Sequence, residues 1–124
     1  MVPHLIMEEL GLQYEAIPVN LKDKTYPDGD FRKINPKGYV PTLELDTKQI
    51  LTENVVILQY LADSKPEAKL IPSGGMERYR HLETLNFITT ELHKSFSPLF
   101  NPKLSEETKT YFREHLSHRF SAME

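Results

Sequence analysis

Asn35-Pro36-Lys37-Gly38-Tyr39-Val40-Pro41-Thr42-Leu43, followed at a short remove by Leu51-Thr52-Glu53-Asn54, is the stretch on which the reading of this chain turns. Pro41 to Asp46 and Gln49 to Thr52 are two strand-like runs around Asp46-Thr47-Lys48, which predicts a tight antiparallel hairpin. Two readings of Val40-Pro41 stand side by side. One is an ordinary trans turn. The other is a cis bond at the strand's start, which exposes the N–H and C=O of Val40 for an extended peptide to pair with. The second half of the stretch is open in the same way. Thr52, Glu53 and Asn54 supply capping oxygens and negative charge for a helix running through Ser64 and stopped by Pro66. The same residues suit an amino-acid head group, its carboxylate on the helix N-terminus and the Asn54 amide, its ammonium on Glu53.

Toward the N-terminus, Pro3, the helical spacing of Leu5, Ile6 and Leu10, and a stop at Gly11 predict a helix over residues 3–10. Tyr14 to Leu21 alternates, with Ile17, Val19 and Leu21 on one face, and predicts a strand that Pro18 confines to an edge or interrupts. Lys22 to Asp30 reads as a loop, and Asp30 to Ile34 as one helical turn stopped at Asn35-Pro36. The apolar run Val55 to Leu58 predicts a helix buried on more than one face. Pro72 and Gly74-Gly75 mark a boundary. Beyond them a long helix is expected over residues 76–97, with Leu82, Leu85, Ile88, Leu92 and Phe96 as its apolar face. A last helix opens at Ser105, with Phe112, Leu116, Phe120 and Met123 in one stripe.

The 124 residues carry a formal net charge of -3, which offers a polyanion nothing and argues against nucleic-acid binding. No apolar run approaches the roughly 20 residues that span a bilayer, and Glu8 and Glu9 break any leader-like pattern, so a cytoplasmic, membrane-free chain is expected. With no cysteine, disulfides, thiolate metal sites and a cysteine nucleophile are excluded within the sequence. His115 and His118 lack acidic partners at ligand spacing, and no metal site is expected. On the long helix Tyr79, Asn86 and His93 recur at sevens with Glu83 and Thr90 between them. That stripe is either a solvated face or one wall of a cleft.

Four ordered motifs carry a resemblance: Asn35 to Leu43, Leu51-Thr52-Glu53-Asn54, Ile57-Leu58-Gln59-Tyr60-Leu61-Ala62-Asp63, and Thr90-Glu91-Leu92-His93-Lys94. Together they resemble a bacterial glutathione S-transferase, and Glu91 to Lys94 is similar to the Beta class in particular. The resemblance implies an α/β, thioredoxin-like glutathione-binding domain over residues 1–66, a linker over 67–75, and the start of an all-helical domain over 76–124. It implies that glutathione is the cosubstrate, that its thiol is transferred to an electrophilic substrate, and that the protein is a homodimer.

Residue by residue, the resemblance implies that Val40 with a cis Pro41 pairs with the cysteinyl backbone of glutathione. Glu53 and Asn54 would hold its γ-glutamyl end, and Lys24 would make a further contact for which Lys22 competes. His93 would lie near the sulfur with Asn86 supporting it, both in catalytic roles, and Lys94 would reach the neighbouring subunit's site. Relatives open with a strand and a turn bearing a catalytic Cys, Ser or Tyr, whereas Val2-Pro3-His4 matches the early first helix. The sequence is therefore expected to lack the first strand and the later helices, to conjugate glutathione poorly, and to self-associate through open strand edges. A non-catalytic glutathione-binding or assembly module is the alternative.

Overall fold

The computed structural model describes residues 2–123. The chain divides into two compact units, one ending at Ser73 and the other beginning at Gly74.

The first unit opens with α1, Val2–Glu9, which starts on Pro3 in its first turn and ends where Gly11 takes φ +59°. Two small antiparallel hairpins follow: β1 (Thr25–Tyr26) with β2 (Gly29–Asp30), and β3 (Thr42–Glu44) with β4 (Ile50–Thr52). The first lies in the segment expected to be loop, because Pro27-Asp28 turns the chain back on itself. Between the hairpins Phe31–Lys33 forms a single 3-10 turn, capped by the Asp30 carboxylate, which accepts the Arg32 N–H at 2.9 Å.

Helix α2, Asn54–Asp63, supplies the centre of the core. Ile57 and Leu61 pack with Met7 and Leu10 of the α1 region, and Ile6, Leu12, Leu43 and Leu51 close around them. Burial reaches more than one face, as the apolar run predicts: Ile57, Gln59, Leu61 and Ala62 are all buried, and Val56 and Tyr60, one turn apart and about half exposed, mark the remaining strip. Lys65 Nζ ties the end of α2 to the first helix by donating to the Leu10 carbonyl at 2.5 Å.

Residues 14–19 form no regular element among the described residues, Asn20 makes an isolated bridge with Thr25, and Leu21 already belongs to a turn. Alternation reports a side chain's fitness for a pleated surface and does not supply a neighbour to bond with. Pro18 has no N–H to give, and Tyr14, Ile17 and Leu21 are exposed.

In the second unit α3, Gly75–Phe87, runs on through a π-helical segment, Ile88–His93, into a 3-10 segment, Lys94–Phe100, that contains Pro98. The expected uniform helix over 76–97 is thus wound in three ways, and the change begins at a β-branched run. Ile88, Thr89 and Thr90 are consecutive β-branched residues. The two threonine hydroxyls donate to the Leu85 and Asn86 carbonyls at 2.9 and 3.0 Å, competing with the backbone N–H groups for those acceptors. Helix α4, Glu106–Ser121, starts as expected at Ser105, whose Oγ accepts the Thr108 N–H at 3.2 Å. Leu92 and Leu116 are buried in this unit, and Phe96 meets Phe120 edge-on at 6.3 Å.

Candidate functional site

The β3–β4 register organises the first unit's site. Thr42 faces Thr52, Leu43 faces Leu51 and Glu44 faces Ile50, so the residues just before β3 and just after β4 lie at the same end of the hairpin. Those residues are Val40-Pro41 and Glu53-Asn54. The Val40–Pro41 peptide is cis. Among the described residues neither the N–H nor the C=O of Val40 is hydrogen-bonded, leaving one donor and one acceptor on an exposed turn.

Asn35 holds this turn. It is 2% exposed, and its amide nitrogen donates to the Tyr39 carbonyl at 2.8 Å and to Thr42 Oγ1 at 3.1 Å. Its amide oxygen accepts the Lys37 N–H at 3.1 Å, and its backbone carbonyl accepts the Gly38 N–H at 2.8 Å. One buried side chain thereby fixes both shoulders of the Tyr39-Val40-Pro41 segment.

Glu53 stands at the N-terminus of α2 with φ +70° and ψ 122°, a backbone region that costs a non-glycine residue about 1–3 kcal/mol. The expected capping does not occur: the Glu53 carboxylate makes no bond to the helix. Its carbonyl accepts the Ile57 N–H at 3.0 Å, so the N–H groups of the first turn have no intrahelical acceptor. The Glu53 carboxylate instead accepts from Lys37 Nζ at 2.6 Å. Asn54, the first helical residue, is half-buried beside it.

Lys24 takes φ +57°, and its ammonium donates to the Gly38 carbonyl at 2.9 Å while lying 5.5 Å from the centre of the Tyr39 ring. It therefore sits on the turn that Asn35 holds. Lys22 is exposed, and its N–H is absorbed by the Asn20 side chain at 3.0 Å. Gly38 is left-handed at φ +65°, and a Cβ there would meet the Lys24 side chain at 3.3 Å, so the Lys24 clasp and that glycine go together.

Asn86, His93 and Lys94 belong to the second unit and are exposed. Tyr79 and Asn86 share a face of α3, but His93 ends the π segment, whose wider i→i+5 turn breaks the seven-residue rhythm. Equal spacing, the argument for a single stripe, stops at Phe87. Lys94 borders a shallow cavity of about 430 Å³, lined also by Ser95, Ser97, Pro98, Asn101, Leu104 and Phe112. Among the described residues no group of three or more His, Cys, Asp or Glu gathers as metal ligands would, and no helix is long and apolar enough to cross a membrane.

Sequence reasoning missed two participants, Asn35 as the support of the turn and Lys37 as the partner of Glu53. The first carried a usable signal, an Asn-Pro pair directly before the turn. The second did not, because Lys37 and Glu53 are far apart in sequence and meet only through the hairpin.

The profile of the glutathione S-transferase N-terminal domain matches residues 2–64, slightly more than half the chain. Glutathione S-transferase GstA of Escherichia coli O157:H7 is 45% identical over 115 residues, covering 91% of this chain and 57% of GstA. A sphingomonad glutathione S-transferase complexed with glutathione superposes with a TM-score of 0.91 at 41% identity, covering 98% of this chain and 61% of that one. A bacterial beta-class glutathione S-transferase of Sphingomonas chungbukensis gives 0.89 at 41% identity, with the same coverages. This chain belongs to the glutathione S-transferase family. Its first unit is the family's thioredoxin-like N-terminal domain and its second is helical, and the chain spans little more than half the length of GstA.

Proposed function

We propose that the chain binds glutathione on its first unit and takes part in transfer of the glutathione thiol to electrophilic substrates. One observation carries the binding half of this reading: the open backbone of Val40 and the Glu53-Asn54 helix start lie at one end of one hairpin. A tripeptide needs a backbone partner at its middle and groups of both signs at its γ-glutamyl end, and these residues are of that kind. Lys24 supplies a cation on the same turn. The sphingomonad relative bound to glutathione supports the choice of ligand.

For the chemistry, glutathione brings the nucleophile itself, its own thiol. His93, whose imidazole can accept or donate a proton, is assigned to the thiol proton, and Asn86 to orienting it. Lys94 is assigned to the glutathione site of a second copy in a homodimer. The domain division 1–66, 67–75 and 76–124, and a cytoplasmic location, belong to the same reading.

Glutathione binding without turnover is the second reading. It is favoured by the make-up of the first unit's site, whose Lys24, Lys37, Val40, Glu53 and Asn54 are charge-pairing and backbone-pairing groups. Conjugation of glutathione to chlorodinitrobenzene by the 124-residue chain separates the two readings. Turnover above the uncatalysed rate supports thiol transfer, and saturable binding without turnover supports the module.

A further inference from the structure

We infer that Lys37 is itself a ligand-binding residue of this site, taking the α-carboxylate of the amino-acid head group whose α-ammonium Glu53 takes. The inference rests on the glutathione-binding reading above and adds a residue to it.

Lys37 Nζ lies 2.6 Å from Glu53 Oε1, and the side chains are 58% and 63% exposed, so the pair stands open to an incoming ligand. An ammonium has three donors, and Glu53 uses one of them. Among the described residues the second carboxylate oxygen of Glu53 accepts no hydrogen bond. A donor and an acceptor therefore remain on adjacent groups of opposite charge.

The head group of a γ-glutamyl peptide carries an ammonium and a carboxylate on one carbon. Laid against the Lys37–Glu53 pair, it completes a ring of four alternating charges in which the existing ion pair is shared and need not break. Exposed ion pairs contribute little by themselves, so sharing this one costs the fold little. Lys37 is also placed in advance: its backbone N–H is held at 3.1 Å by the buried Asn35 that fixes the cis-proline turn. The competing possibility is that the Lys37 ammonium occupies the place of the ligand's ammonium and must be expelled. The two predict opposite signs for the same substitution.

The experiment is a calorimetric titration of the 124-residue chain, wild type, Lys37→Gln and Lys37→Arg, with glutathione and with γ-aminobutyryl-cysteinylglycine. That analogue keeps the amine and lacks the α-carboxylate. We expect Lys37→Gln to weaken glutathione about five- to tenfold, to leave the analogue's affinity unchanged, and to be rescued by Lys37→Arg. Tighter or unchanged glutathione binding by Lys37→Gln would overturn the inference, as would an equal loss for both peptides. In each of those outcomes the wild type still binds, so the glutathione reading survives. A wild type that binds neither peptide overturns both.

Discussion

Thr42 lies directly opposite Thr52 in the β3–β4 ladder, and that pairing sets the cis Val40–Pro41 peptide and Glu53 at one end of one hairpin. A shift of one residue would turn every side chain of the strand to the other face and break this alignment. The register is protected from both sides, by Leu43 and Leu51 packed on the core and by Thr42 Oγ1 accepting from the buried Asn35.

Asn35→Ala removes three side-chain hydrogen bonds of the turn and empties the buried place of the amide. Urea unfolding should show a loss of about 2–3 kcal/mol, with glutathione affinity falling alongside as the Tyr39-Val40 turn loosens. A stable variant that binds as the wild type does would mean that the turn holds itself.

Glu53→Gly separates strain from function. Glycine relieves φ +70°, so the variant should be about 1 kcal/mol more stable than Glu53→Ala, yet both should lose glutathione affinity. Equal stabilities of the two variants would show that the backbone there carries no strain.

The Asp30 carboxyl is held down to about 2 from its ordinary 3.8, first by its side-chain hydrogen bonds with Arg32 and then by the Arg32 N–H. A depressed carboxylate contributes stability fully above its unfolded value and loses it as pH falls through the folded one. The contribution should thus be complete above about pH 4 and vanish toward pH 2, where the 3-10 turn leading to Asn35 loses its cap. An NMR titration of Asp30 with a midpoint at the ordinary value would contradict this.

If His93 handles the thiol proton, His93→Ala should shift the pH dependence of glutathione thiol ionisation on the protein while leaving affinity within about twofold. An unchanged profile would remove His93 from the chemistry.

Much of the first unit was legible in the sequence because its signals are local. Pro41 at a strand's start, the turn at Asp46-Thr47-Lys48 and the helix start after Thr52 each depend on a few adjacent residues, and each element formed where expected. What the sequence concealed depends on partners. Tyr14 to Leu21 has the alternation of a strand but no neighbouring ladder among the described residues. Glu53 reads as a cap, yet its carboxylate turns to Lys37, reached only once the hairpin closes. The π segment begins at the β-branched run Ile88-Thr89-Thr90, whose two hydroxyls donate to the Leu85 and Asn86 carbonyls.

Calorimetric titration of the 124-residue chain with glutathione, beside Glu53→Ala, tests the central claim most directly. The account predicts saturable one-site binding by the wild type and at least a tenfold weaker affinity for the variant, as expected when a charged partner is removed from an ammonium. Identical affinities, or no binding by either, would contradict a glutathione site at the end of the β3–β4 hairpin.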